Sequence, residues 1–278
     1  MSSVSSRHAV HPGHFQVMNT QSIREHFLIE TIFVARTIQQ TYTHFDRLIV
    51  GGAMPDTSRL KLEPFNELKA DFYLQRRELG IINVGAPGVV IADGTSYTLN
   101  NKEALYIGRG VKDVTFESSP GGQSYFYFNS APAHATFPNK KVSTKEAETV
   151  ELGSAATANL RTIRKLLVNS VLSTCQLQMG LTELKTGSVW NTMPPHTHTR
   201  RMEAYFYFEV PEGQSVCHIM GPPNETRHIW LKNHNAVISP PWSVHCGAGT
   251  SNYSFIWGMA GENLDYGDMD GIAIGDLK

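Results

Sequence analysis

The stretch Thr192–Phe208, TMPPHTHTRRMEAYFYF, decides the reading of this chain. It holds His196, His198 and Glu203 just behind Pro194-Pro195 and at the start of a run of aromatic, β-prone residues. Residues two apart on a strand share a face, so the H-x-H pair aims both imidazoles into one space. Glu203 stands an odd number of residues further on, and a straight strand would point it the other way. A turn at Thr199-Arg200-Arg201 must therefore fold the chain back and return Glu203 beside the histidines. On that second strand Glu203, Tyr205 and Tyr207 share one face, and Ala204, Phe206 and Phe208 the other. A fourth donor follows in SPPWSVH, Ser239 to His245, where the prolines and Trp242 make a tight turn and His245 opens the next strand. Three imidazoles and one carboxylate suit a first-row divalent metal. The alternative is a set of unrelated strand histidines and a surface glutamate.

Around this stretch the pattern is mainly all-β. Short β-prone runs over 72–128 are split by Gly, Pro, Asn-Asn or Asp-Gly, which argues for antiparallel strands in a sandwich or barrel. Asp93-Gly94 is the strongest two-residue hairpin signal. Ser22-Ile23-Arg24-Glu25 has the form of a capping box and predicts a short helix to about Ile29; strands are expected over 31–35, 40–45 and 46–51. Residues 1–135 read as a first β domain with an N-terminal arm, 136–155 as a polar linker, and 156–278 as a second β domain. The two halves read as a repeat. Arg76-Arg77-Glu78 opens the first array much as Arg200-Arg201-Met202-Glu203 opens the second, and 103–110 falls where 235–242 falls, which puts Asp113 opposite His245. No H-x-H precedes Arg76, so the metal site is expected in the second half alone.

Composition sets the outer limits. At 278 residues, 41% hydrophobic and 18% charged, the chain has ample material for a buried core. A net charge of −1 gives no excess of Lys and Arg for phosphate neutralisation, so nucleic acid is not an expected partner. No stretch approaches the ~20 apolar residues of a membrane span, and the N-terminus lacks the apolar core of a secretory signal. Three cysteines, Cys175, Cys217 and Cys246, show no paired short spacing, which fits a reducing, cytoplasmic setting. His8, His11 and His14 read as part of a solvated N-terminal arm.

H-x-H-x4-E followed by P-x-x-x-x-H resembles the metal motifs of the cupin superfamily, with Trp242 where glycine is common. That resemblance implies two tandem cupin-like double-layered β-barrels with a few short helices. A narrower resemblance covers nearly the whole chain. TCQLQMGLTEL (174–184), NTMPPHTHTRRMEAYFYF (191–208), NETRHI (224–229), AVISPPWSVH (236–245), FIWGMAGEN (255–263), DRLIVGGAMP (46–55), RRELGIINVG (76–85) and APAHATFPNKKV (131–142) are similar to the 5-keto-4-deoxyuronate isomerases of pectin breakdown. The resemblance implies an aldose–ketose isomerisation of 4-deoxy-L-threo-5-hexosulose uronate to 3-deoxy-D-glycero-2,5-hexodiulosonate. It also implies one Zn2+ per chain on His196, His198, Glu203 and His245, and a hexameric homo-oligomer.

Such chemistry passes through an enediolate, whose charge a divalent cation stabilises. A carboxylate substrate calls for a cationic clamp, for which Arg161, Arg200, Arg201 and Arg227 are the candidates. Glu225, His228, Lys165 and the site-facing Tyr205 are the candidate proton carriers; His218 and His234 read as ordinary strand and loop histidines. Two rivals share the ligand set: a cupin-type Fe(II) oxygenase, and a non-catalytic sugar-binding bicupin with a structural metal.

Overall fold

The computed structural model describes residues 2–262 and 265–278. Two copies of one arrangement make up the chain, each a seven-stranded sheet and a four-stranded sheet. In the first copy the large sheet runs Ser2–Arg7, Thr37–Thr43, Ile49–Met54, Phe126–Pro132, Arg77–Asn83, Ala104–Ile107 and Lys140–Val142 in spatial order. Its partner sheet runs Leu60–Lys61, Val114–Ser118, Gly88–Ala92 and Thr95–Leu99. The second copy repeats this order, with Glu148–Leu152, Arg161–Leu167, Gln178–Leu184, Ser254–Gly261, Arg201–Phe208, Ala236–Ser239 and Leu28–Ile29 in the large sheet. Trp190–Asn191, Val244–Gly249, Val216–Gly221 and Arg227–Leu231 form the small one.

Strand alternation sorts the side chains into three apolar layers. Inside the first copy lie Ile49, Leu79, Ile81, Ile107, Phe116 and Phe128. Inside the second lie Tyr205, Tyr207, Met220, Val237, Phe255 and Trp257. The outer faces of the two large sheets meet back to back through residues such as Ile82, Tyr127, Met179, Leu181, Ala204 and Phe206. Tyr127 stacks on Phe206 across that seam with ring centroids 4.5 Å apart. Gly80 and Gly258 let the sheets close, because a methyl group there would run into Met179 and Asn129 respectively.

Several local expectations are met and others are corrected. The Asp93-Gly94 hairpin forms, with both residues at positive φ. The helix runs Thr20–Phe27 and is capped by Asn19, whose side chain accepts from the Ser22 amide, so Ser22 lies inside it. Residues 31–36 form no strand; Ile32 instead drops into the central apolar layer. The N-terminal segment is not a solvated arm. Ser2–Arg7 pairs in parallel with Thr37–Thr43, and His11 caps a short helical turn, Pro12–Phe15, that buries Phe15. The polar segment 136–155 carries edge strands for both large sheets, Lys140–Val142 for the first and Glu148–Leu152 for the second. Leu28–Ile29 from the start of the chain supplies the last strand of the second copy, beside Ala236–Ser239. Edges left open invite association, and these crossings cover them.

A buried carboxylate ties the copies together. Glu78 is fully buried on the outer face of Arg77–Asn83. Its oxygens accept from the backbone N–H groups of Cys175, Gln176 and Leu177, each at 2.8 Å, and from the Tyr106 hydroxyl at 2.7 Å. Burial and the neighbouring carboxylate push the Tyr106 phenol well up, which keeps its proton on oxygen. Glu78→Ala would orphan four buried donors at once. The expected cost is at least ~3 kcal/mol, a fall in Tm of order 10 °C, read by thermal melting. An unchanged Tm would show that the seam does not depend on this carboxylate.

Candidate metal centre

The site forms inside the second copy, where the turn expected at 199–201 brings the chain back; it spans 199–200, and Arg201 already belongs to the strand. His196–Thr197 is a two-residue strand, and Arg201–Phe208 follows with all eight side chains buried. Glu203 lies between Met259 and Ser239 on the neighbouring strands, facing inward with Tyr205 and Tyr207. His245 enters from the small sheet as the first inward residue of Val244–Gly249. His196, His198, Glu203 and His245 thus come together, each offering a ligand atom, all within 4.8 Å of one another. The three imidazole centroids are 4.6–4.8 Å apart.

The electrostatics of this group favour a cation. Burial, with His245 and Arg201 nearby, pushes His196 down to about 2 and His198 further still, so both rings are neutral as metal ligation requires. His245 Nδ1 lies 3.1 Å from the Ser243 carbonyl, which fixes the proton on that nitrogen and turns a bare Nε2 lone pair inward. That Nε2 sits 3.1 Å from His196 Nε2 and 2.9 Å from Glu203 Oε2. His198 Nε2 is 3.6 Å from the same oxygen, and neither it nor Glu203 Oε2 has a hydrogen-bond partner among the described residues. With both Nε2 atoms of His196 and His245 unprotonated, the lone pairs of this group would repel one another, and a divalent cation would remove that repulsion. The donor set therefore fits a metal ion.

Only some of the other candidates reach this group. Tyr205 is buried on the inner face, its ring edge-on to His245 at 5.4 Å and its hydroxyl 2.8 Å from Thr192 Oγ1. Burial and Glu203 raise its phenol far above the ordinary range, so it keeps its proton. Arg161 and Lys165 lie on the inward rows of Arg161–Leu167. Lys165 pairs with Glu148 at 2.5 Å and sits 4.5 Å over the Tyr266 ring. Desolvation pulls the Arg161 guanidinium down, opposed by Tyr205 and Tyr266; it donates to the Asn159 carbonyl and meets no carboxylate at ion-pair distance among the described residues.

Five other candidates, His228, Glu225, Arg227, Arg200 and Arg201, point elsewhere or bond elsewhere. His228 is exposed and points outward from its strand, because the inward positions are Ile229 and Leu231. Glu225 and Arg227 pair with each other at 2.7 Å, and Arg227 also holds the Gln16 carbonyl of the N-terminal segment. Arg200 is largely exposed and pairs with Glu262. Arg201 stands inside but is spent on the chain itself, donating to the Asp265 and Tyr266 carbonyls at 2.9 and 3.2 Å.

Residues 265–271, which the sequence did not flag, lie against the strand that carries His196. Asp270–Gly271 pairs with His196–Thr197, and Tyr266 packs on Trp257 at 5.1 Å. His218, read as an ordinary strand histidine, lies on Val216–Gly221, and its Nδ1 meets the Tyr207 hydroxyl at 2.7 Å in the interior. Burial pushes that ring down to about 3. The available signal was its alternation with Val216 and Met220, which marks it as inward. Cys246 faces away from the site as expected, and burial pushes its thiol up to about 12.

The first copy shows what this position looks like without a site. The inward counterpart of Glu203 is Leu79, since each sits in the same ladder between equivalent strands. Val114, the first inward residue of its strand, stands where His245 stands. Asp113, which the repeat had set opposite His245, is instead exposed and paired with Lys61 at 2.6 Å.

Three histidines and a glutamate gathered inside one of two like pairs of β-sheets give the chain a cupin-like arrangement. The fold is shared with an IolB-like protein from Salmonella typhimurium LT2, at a TM-score of 0.65 and 15% identity over 81% of this chain and 86% of that one. An oxalate decarboxylase from Lactobacillus farciminis matches at 0.55 and 10% identity, over 82% of this chain and 79% of that one. The sequence model of the KduI/IolB family matches residues 28–270, and the chain belongs to that family. Relatives named 4-deoxy-L-threo-5-hexosulose-uronate ketol-isomerase are 56% identical in Formosa agariphila and in Bacteroides fragilis, each alignment covering 98% of both chains. One from Yersinia pestis is 51% identical over 98% of this chain and 99% of its own. The chain is accordingly an enzyme, a ketol-isomerase.

If Arg201 holds the 265–271 segment, Arg201→Lys keeps the charge but loses the two-pronged grip on neighbouring carbonyls. Hydrogen-exchange mass spectrometry should then show faster exchange over 265–271, with Arg201–Phe208 unchanged. Equal protection would assign that hold to other contacts.

Proposed function

We propose that this enzyme isomerises 4-deoxy-L-threo-5-hexosulose uronate to 3-deoxy-D-glycero-2,5-hexodiulosonate, with one Zn2+ per chain held by His196, His198, Glu203 and His245. The convergence of four donors around the unpartnered His198 Nε2 and Glu203 Oε2 carries the reading. Nitrogen and carboxylate donors of this kind suit zinc. When bound, the ion supplies Lewis acidity that stabilises negative charge developing on the substrate's oxygens. The substrate names borne by relatives at 51–56% identity support the choice of uronate.

The chain's own groups supply binding and proton control. Arg161, desolvated and facing no carboxylate, offers its fork to the substrate carboxylate. Lys165 adds a second cation on the same inward strand, steadied by Glu148 and the Tyr266 ring. Tyr205 retains its proton and can donate it to a substrate oxygen, with Thr192 Oγ1 as the partner it exchanges for that contact. Tyr266 and the 265–271 segment exclude water, which protects an enediolate from stray protonation.

Metal analysis should return one ion per chain, and none after joint His196→Ala and His198→Ala substitution. Two ions would overturn the assignment to one barrel. Zinc-saturated Glu203→Gln should lose about a hundredfold in kcat at near-native Tm, because a charge acting on the transition state is altered while the shape is kept. An unchanged kcat with a collapsed Tm would make the ion structural. The decisive test is incubation with the deoxy-keto-uronate without O2, following loss of the aldehyde. Anaerobic turnover is expected; turnover only with O2 would make the protein an oxygenase.

A further inference from the structure

We infer that Gln178, with Ser239 and the indole of Trp257, forms a polar grip for the hydroxyl and carbonyl oxygens of a polyhydroxylated substrate; this rests on the proposed isomerase reading and adds contacts to the same site. Gln178 opens the strand Gln178–Leu184 and is fully buried, yet neither its amide nitrogen nor its amide oxygen has a partner among the described residues. It stands opposite Met259, which stands opposite Glu203, so the amide shares an inward row with the metal cluster, two strands away. Two strand spacings amount to roughly 10 Å, about the reach of a six-carbon chain anchored at the cluster. Ser239 flanks Glu203 on its other side with an unpartnered Oγ. Trp257 lies one inward row along, opposite Tyr205, with an unpartnered Nε1. His218 Nε2 is a further buried atom of the same barrel without a partner.

Buried polar groups are ordinarily hydrogen-bonded, and a group of exceptions on one face asks for an explanation. The first barrel provides the control. In the matching ladders Ile49 stands where Gln178 stands, Ile107 where Ser239 stands, and Phe128 where Trp257 stands. All three belong to that barrel's apolar core. The fold closes well with hydrocarbon at these positions, so packing alone does not demand polar atoms in the second barrel. A primary amide both donates and accepts, which matches neighbouring hydroxyl and carbonyl oxygens better than it matches a lone carboxylate. A site built to hydrogen-bond such oxygens discriminates strongly against ligands that lack them.

Gln178→Met keeps length and approximate volume while removing both polar atoms. In the full-length, metal-loaded enzyme it should raise KM for the uronate at least tenfold, lower kcat less, and leave Tm equal to or above wild type. That combination separates a ligand contact from a structural part, whose loss would lower Tm. An unchanged KM, or a rise in KM accompanied by a Tm drop of more than about 5 °C, overturns the inference while the isomerase reading stands. If wild-type enzyme fails to isomerise the uronate, that reading falls. Melting then decides this inference: a Tm at or above wild type supports an amide kept for a ligand, and a marked drop overturns it.

Discussion

The buried Glu78 carboxylate is the constraint on which the geometry of this molecule turns. It belongs to the first copy, but three of its four hydrogen bonds hold the backbone of 175–177 in the second. Those residues lead directly into the strand Gln178–Leu184, whose inward row runs across Met259 to Glu203. Hydrogen bonds from backbone N–H groups to a carboxylate are charge-assisted and shorter than neutral ones, so they fix that backbone tightly. The first copy therefore sets the strand beside the cluster without contributing a residue to it. The back-to-back apolar layer gives the seam its bulk, and Glu78 gives it register, since a slip of one residue would reverse every inward side chain.

One fold appears twice with two kinds of interior. The first barrel is filled by Leu79, Ile49, Ile107, Phe128 and Val114, and is a core in the ordinary sense. The second carries Glu203, Gln178, Ser239, Trp257 and His245 at the matching places, and leaves several polar atoms without protein partners. An interior of that kind costs stability, and its retention marks a site. The crossed edge strands, Leu28–Ile29 into the second sheet and Lys140–Val142 into the first, make the two barrels hard to separate. The apolar copy can thus supply rigidity for the polar one.

The gathering of His196, His198, Glu203 and His245 was legible because its signals are local. H-x-H fixes a shared face, and the parity of Glu203 demands a turn, which residues 199–200 provide. The Asp93-Gly94 hairpin and the all-β pattern were legible for the same reason. What failed depended on partners distant in sequence. His228 looked available until the alternation with Ile229 and Leu231 turned it outward. Arg227 was claimed by Gln16, some two hundred residues earlier, and nothing local announces such a bond. The 31–35 run is β-prone, yet its apolar residues serve the seam between barrels and no strand forms. The repeat was recognised from its arginines, but the loop before His245 differs in length from its counterpart. The alignment drifted there and put Asp113 where Val114 belongs.

The arginine shared by the two copies shows how the repeat can separate structure from chemistry. Arg77 and Arg201 open equivalent strands, opposite Pro132 and Gly261 on the equivalent neighbours, and both are buried. Arg77 donates to the Ser130 and Arg47 carbonyls, and Arg201 to those of Asp265 and Tyr266. The same residue performs the same task in a barrel with a site and in one without. A guanidinium used in both to bind backbone carbonyls beside its strand is part of the fold, and the five donors of its fork account for the choice of Arg over Lys. Arg161 has no such duty beyond a single bond to the Asn159 carbonyl, and its counterpart strand in the first copy carries no arginine. Half-buried beside Tyr205 and Tyr266, it has no carboxylate at ion-pair distance among the described residues, and a substrate carboxylate would supply one.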